Sequence, residues 1–286
     1  MNVGIIGTGL MGLPMAQRLL AANFRLIAYN RTIAKLEPLQ AAGANLARSP
    51  QEVIQAATCI VLMLTNAAAI REVLLSTTNP ELLAGKTIMQ MGTIAPAESL
   101  ALQTDLHAVG ADYLEAPVLG SIPEAKAGTL IVMVGSTPAQ FDQWLPVLRC
   151  FGPAPVRVGD VGTAAAIKLA LNQLIGSLTA AFATSLSFVQ HQGADVEPFM
   201  QILRESALYA PTFDKKLQRM MDGNYTNPNF PTKHLLKDVD LFIQAAATAG
   251  VNSGIAAAVR QQLEQVVAMG LADADYSALY QAAETE

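Results

Sequence analysis

The sequence predicts an α/β N-terminal domain with a doubly wound, mostly parallel sheet, followed by an all-α C-terminal domain that a long helix joins to it. Three observations carry that reading. A G-x-G-x-x-G turn follows the first apolar run, short apolar runs alternate with amphipathic stretches through the first half, and strand signals stop near residue 160. Alternation of this kind builds a parallel sheet covered by helices on both faces.

The runs NVGIIG, FRLIAYN, CIVLML, TIMQM, DYLEAPV and LIVMVG are rich in Ile, Val and Leu and predict strands. Between them, residues 11–22, 32–42, 50–57 and 96–109 have helical patterns. VRVGDVG ends the strand region, and a helix is expected from Thr163 to about Gln192. Beyond it the chain is rich in Ala, Leu and Gln, with breaks at Gly193, Pro211, 227–231 and Gly250. Pro231 suits the first turn of a helix carrying Lys233, Lys237 and Asp238. The expected domains are 1–162 and 163–286, with a ligand cleft between them and at the carboxyl ends of the strands.

Composition narrows the functional classes. Of 286 residues 52% are hydrophobic and 14% charged, which supports large cores and an apolar surface between copies of a homo-oligomer, a dimer or tetramer. A net charge of −5 lacks the basic footprint of nucleic-acid binding. Cys59 and Cys150 lie in apolar surroundings, and His107, His191 and His234 lack metal-ligand spacing, so no metal is expected. The stretch from Leu174 to Val189 holds five Ser or Thr and is too short for a span, so it reads as a buried helix with no membrane partner. The first strand begins at Asn2 without room for a leader, which points to a soluble, cytoplasmic protein.

Gly7-Thr8-Gly9-Leu10-Met11-Gly12 has the form of a dinucleotide-binding turn, and the domain around it is therefore expected to be of Rossmann type. Gly7 permits the tight turn, Gly9 lets backbone approach a pyrophosphate, and Gly12 lets helix and strand pack closely. The diphosphate would meet the positive end of the helix. About 20 residues on, an NAD site usually holds an acid for the ribose hydroxyl; this chain has Asn30, then Arg31 and Thr32. A guanidinium beside a hydroxyl suits a 2′-phosphate, so NADP (NADPH) is expected, with NAD possible. Met63 and Leu64 lie where a loop would pass the nicotinamide.

Lys168 and Asn172 are four apart and share one helix face among apolar neighbours. Such a lysine either snorkels to the surface or sits in a polar cleft, where a lowered pKa would suit proton transfer.

Four separated stretches, GTGLMGLPMA, EAPVLGSIPEAKAGTL, GTAAAIKLALNQ and LLKDVDL, resemble the β-hydroxyacid dehydrogenase family in order and spacing, across essentially the whole chain. That family includes 3-hydroxyisobutyrate dehydrogenases, tartronate semialdehyde reductases and glyoxylate/succinic semialdehyde reductases. The resemblance implies hydride transfer between NADPH and a small carboxylate substrate, an aldehyde acid or hydroxy acid. It makes Lys168 the proton donor to the carbonyl oxygen and Asn172 its orienting partner. Residues 115–130 match the substrate loop, with Leu119, Gly120 and Ser121 at the substrate carboxylate. Thr93 falls near nicotinamide and substrate. Phe230 and Lys237 match the stretch that closes over the cofactor, and Asp238 is expected at the substrate.

Leu119 stands where the family usually has Ser, and Gly92 where many members have a hydroxyl. Both departures bear on substrate identity rather than on hydride transfer. Lys168 argues against the imine reductase branch, and 6-phosphogluconate dehydrogenases are considerably longer. A 3-hydroxyisobutyrate dehydrogenase is the alternative within the family. A non-catalytic NADPH sensor is the alternative outside it, although a sensor would not need Lys168, Asn172, Thr93 and Lys237 together.

Overall fold

The computed structural model describes residues 1–76 and 79–284. Two compact units divide it, Met1–Lys168 and Leu169–Glu286. The division falls inside the connecting helix rather than before it, because the start of that helix is bonded to the sheet unit.

In the first unit, β1 (Asn2–Ile6), β2 (Arg25–Tyr29), β3 (Asn45–Leu46), β4 (Cys59–Leu62), β5 (Thr87–Gln90) and β6 (Asp112–Glu115) run parallel. Strands β7 (Val118–Leu119) and β8 (Ile131–Gly135) form an antiparallel pair, β8 joins β6 antiparallel, and β9 (Val156–Gly159) lies parallel to β8. The order is β3-β2-β1-β4-β5-β6-β8-β7, so the winding reverses between β1 and β4. That reversal opens a crevice at the strands' carboxyl ends.

Period-two side chains fill both faces. Val3, Ile5, Cys59, Val61, Met89 and Leu114 point into one core; Ile6, Ile60, Leu62, Ile88 and Tyr113 point into the other. The first core is covered by α1 (Gly12–Ala21), α2 (Glu37–Ala41), α6 (Ile122–Ala127) and α7 (Pro138–Leu148), through Leu19, Leu39, Ala125 and Trp144. The second is covered by α3 (Pro50–Ala56), α4 (Ala67–Arg71) and α5 (Pro96–Ala108), through Ile54, Ile70 and Leu102. Each fully buried Leu or Ile contributes about 1.5–3 kcal/mol relative to exposure. The helix expected over 32–42 divides into a 3₁₀ turn, Ile33–Leu36, and α2, since Pro38 lacks the N–H to continue an unbroken helix. Strand β3 and helix α6 are too short to leave a periodic signal.

Helix α8 (Thr163–His191) starts in the first unit and runs through the second, beside α9 (Val196–Glu205), α10 (Pro211–Asp222), α11 (Thr232–Thr248), α12 (Gly254–Ala268) and α13 (Leu279–Ala283). A Cβ at Gly176 would lie 3.2 Å from Val259, so α12 approaches α8 closely there. Lys216 and Asp275 form a buried ion pair at 2.7 Å; Asp275 also accepts from the Asn229 and Ser277 N–H groups. This pair ties α10 to the segment that opens α11 at Pro231.

The sequence reading treats the middle of α8 as buried, and the structure corrects this. Phe182, Ala183 and Leu186 are buried, whereas Leu174, Leu178 and Phe188 are 51%, 38% and 64% exposed. The described residues cover one side of this helix.

Candidate active site

The carboxyl ends of the parallel strands collect most of the residues singled out in the first unit. Gly7 follows β1 with φ of 97°, and its N–H donates to the Tyr29 carbonyl at 3.0 Å. A Cβ on Gly7 would lie 2.3 Å from the Met63 carbonyl oxygen, and one on Gly12 would lie 2.0 Å from the Gly7 carbonyl oxygen. Both glycines therefore serve the packing of backbone on backbone. At Gly9 no described residue lies within 4 Å of an added Cβ. The three glycines thus have separate tasks, and only Gly9 borders open space.

Several observations fit an anionic dinucleotide at this turn. Helix α1 begins with neither a side-chain cap nor an acidic residue in its first turn, so its positive end has no anion from these sources. Thr8 is 1% exposed, and its hydroxyl has no hydrogen-bond partner among the described residues. Leu10 is 47% exposed, and Met11 packs partly into the first core. Asn30 Oδ1 accepts from the Thr8 N–H at 3.0 Å while its Nδ2 donates to the Thr32 carbonyl at 3.0 Å. The neutral residue at the end of β2 thus joins the glycine turn to the loop carrying Arg31 and Thr32, both exposed.

Met63 and Leu64 back the turn from β4, the Met63 N–H donating to the Ile6 carbonyl. Gly92 is sterically required, since a Cβ there would lie 2.5 Å from the Leu64 carbonyl oxygen. Buried Gln90 clasps the same glycine, its Nε2 donating to the Gly92 carbonyl at 3.0 Å and its Oε1 accepting the Gly92 N–H. Gln90, which the sequence reading left without a role, shapes the approach to Thr93. Its role is visible only from the loop's closure.

The loop after β6 differs from expectation. Leu119 pairs with Ile131 across β7 and β8, and Gly120 has φ of 130°. The Ser121 N–H and hydroxyl, expected to face a substrate carboxylate, both donate to Glu124 Oε2 at 2.8 Å. A carboxylate three residues along a new helix is the ordinary capping arrangement, and it places an internal anion where an external one was expected.

In the second unit, Asn172 is 1% exposed, and its Nδ2 donates to Asp238 Oδ2 at 2.6 Å. Asp238 Oδ1 lies 2.8 Å from Lys237 Nζ as an ion pair rather than a directed hydrogen bond. With its amide nitrogen committed, Asn172 presents Oδ1 as a buried acceptor that has no hydrogen-bond partner among the described residues. Lys168, partly buried, precedes Asn172 by four residues on the continuous α8. Phe230 packs edge-on against Tyr276 at 5.8 Å, just before α11. On α11 burial, then Lys233, holds the His234 imidazole below its ordinary pKa.

Residues 2–167 match the NAD binding domain of 6-phosphogluconate dehydrogenase, and residues 162–283 match the NAD-binding domain of NADP-dependent 3-hydroxyisobutyrate dehydrogenase. Glyoxylate/succinic semialdehyde reductase 1 of Arabidopsis thaliana is 31% identical over 99% of this chain and 98% of its own length. The chain belongs to the β-hydroxyacid dehydrogenase family. It is an NAD(P)-dependent oxidoreductase acting on CH–OH groups. The 2-hydroxy-3-oxopropionate reductase of Escherichia coli (strain K12) is 32% identical to this dehydrogenase over 99% of the present chain and 97% of its own. A 3-hydroxyisobutyrate dehydrogenase structure from Salmonella typhimurium superposes with a TM-score of 0.88 at 26% identity, covering 98% of this chain and 99% of that one.

The glycine geometry separates stability from binding. Gly9→Ala is expected to leave the thermal midpoint of the ligand-free protein unchanged and to weaken NADPH binding about tenfold or more, as crowding of a charged contact implies. Gly12→Ala is expected to lower the midpoint itself. Titration calorimetry and thermal denaturation on both variants check this.

Proposed function

We propose that the protein is an NADPH-dependent reductase of a small aldehyde acid, of the glyoxylate or succinic semialdehyde class, in which Lys168 gives the proton in reduction and takes it in oxidation. The observation that carries this reading is the fixed amide of Asn172. Its nitrogen is held by Asp238, leaving a buried acceptor one helical turn from the Lys168 position. An acceptor so oriented can direct an ammonium or a substrate hydroxyl, the two donors that carbonyl reduction brings together.

Gly7, Thr8, Gly9, Leu10, Met11 and Gly12 would hold the pyrophosphate, Arg31 and Thr32 the 2′-phosphate, and Met63, Leu64, Thr93, Phe230 and Lys237 the remainder of the cofactor. When bound, the dihydronicotinamide supplies a hydride to the carbonyl carbon. The chain acts on the oxygen. The Lys168 ammonium stabilises the developing alkoxide and protonates it, yielding the hydroxy acid, while Asn172 and Asp238 hold substrate and lysine in line. Reversal returns that proton to the lysine. A substrate carboxylate reaches the Ser121 donors by exchanging with Glu124, and Leu119 adds no hydroxyl there. The Salmonella structure favours 3-hydroxyisobutyrate oxidation as the second reading. A panel of short aldehyde acids and hydroxy acids with NADPH and NADH separates the two.

Lys168→Ala is expected to bind NADPH normally and lose about 10²–10⁴ in kcat, the usual loss on removing a general acid. Steady-state kinetics showing near-normal turnover would remove Lys168 from the mechanism. Arg31→Ala is expected to raise KM for NADPH about tenfold or more with little change for NADH, as loss of a charged hydrogen bond implies; equal effects on both cofactors would argue against 2′-phosphate recognition.

The exposed Leu174, Leu178, Ala181 and Phe188 recur at helical spacing on one side of α8, which supports a homo-oligomer closed over that face. Leu178→Asp is expected to shift the sedimenting species toward monomer. A wild type that already sediments as a monomer overturns this part of the reading.

A further inference from the structure

A buried carboxylate stands at the start of the helix that carries Lys168. Glu115, the last residue of β6, is 1% exposed. Its Oε1 accepts the N–H groups of Gly162, Ala164 and Ala165 at 2.8, 2.9 and 3.1 Å. Its Oε2 accepts from the hydroxyl of Ser99 on α5, which is also 2.9 Å from the Tyr113 hydroxyl. One side chain thereby joins β6, α5 and the first turn of α8.

The surroundings are shaped for this contact. A Cβ at Gly135, the neighbour of Glu115 on β8, would lie 2.5 Å from Oε1 and 2.7 Å from Cγ. Gly162 has φ of 99°, a left-handed conformation that is costly for other residues, and it contributes one of the three donors. The first N–H groups of a helix have no partners within it, and a carboxylate there is doubly favoured, by hydrogen bonds and by the helix dipole. Burial raises the Glu115 pKa, while Ser99 and the three N–H groups oppose that rise.

We propose that Glu115 is the positioning residue for Lys168: by gathering three N–H groups on one oxygen it sets the axial position and rotation of α8 where the lysine emerges. The inference rests on Lys168 being the proton donor. Lys168 follows Ala165 by three residues, or about 4.5 Å of helix axis, so little slack separates the anchor from the amine. Displacement of a reacting group by about 1 Å can cost on the order of 10² in rate. The bonds of Glu115 to Gly162, Ala164 and Ala165 act on α8 through its backbone.

The test uses the full-length protein. Glu115→Ala removes the acceptor, Glu115→Gln keeps an oxygen for the three N–H groups, and Gly135→Ala crowds the carboxylate without altering it. Leu106→Ala, a core substitution on α5, controls for a general loss of stability. Expected for Glu115→Ala and Gly135→Ala are an unchanged Kd for NADPH, a fall in kcat of about ten- to a hundredfold, and an increased primary deuterium isotope effect on kcat with 4-deuterated NADPH. Glu115→Gln should retain kcat to within about fivefold, the scale of one charge–dipole interaction. Wild-type kcat and isotope effect in a folded Glu115→Ala or Gly135→Ala protein would overturn the proposal. So would an equal loss of kcat in Leu106→Ala at a matched fall in Tm. If Glu115→Ala does not fold, Gly135→Ala decides. An inactive Lys168→Ala beside a fully active Glu115→Ala refutes the anchor alone, whereas an active Lys168→Ala refutes the underlying assignment.

Discussion

The contact on which the site most depends joins one carboxylate oxygen to three backbone N–H groups. Helix α8 leaves the sheet unit with its first donors unpaired, as every helix does, and Glu115 supplies the acceptor from the end of β6. Because the sheet is close-packed on both faces, the end of β6 is a rigid reference point. A residue one turn into α8 inherits that rigidity. The division of the chain inside α8 has the same cause, since its first turn belongs mechanically to the sheet.

Economy of backbone is the theme of the glycine turn. Gly7 and Gly12 bring carbonyl oxygens to distances that no Cβ tolerates, and Met63 closes the turn from the adjacent strand. Asn30 then couples this turn to the loop after β2, bonding the Thr8 N–H on one side and the Thr32 carbonyl on the other. An aspartate at that position would keep the first bond but lose the second, because it has no N–H to donate. The neutral residue therefore has a structural reason.

The second unit solves a different problem, fixing an amide that could otherwise flip. Asp238 takes the Asn172 nitrogen and Lys237 neutralises the carboxylate, so a buried charge is paired and the carbonyl of Asn172 has one orientation. The Ser121 and Glu124 pair follows a similar logic at the first unit's loop, where an internal carboxylate takes both Ser121 donors.

Local pattern by itself determined the strands of the parallel sheet other than the two-residue β3, the glycine turn, the long helix and the helical second half, because burial on both faces and a 3.6-residue period leave direct marks on residue choice. The resemblance of separated motifs implied roles for Lys168, Asn172, Thr93, Phe230, Lys237 and Asp238, which the glycine motif could not supply. Tertiary structure alone decided which partners the polar atoms take. Glu115 reads in the sequence as part of a substrate loop, yet its carboxylate bonds residues more than forty positions away. Ser121 reads as a substrate donor, yet its hydroxyl is committed to Glu124. Gln90 has no signal at all until the loop folds back on Gly92. Apolar burial is a property of each residue's own type and recurs with a period, so a sequence can display it. A hydrogen bond belongs to a pair, and the pair exists only once the chain has closed.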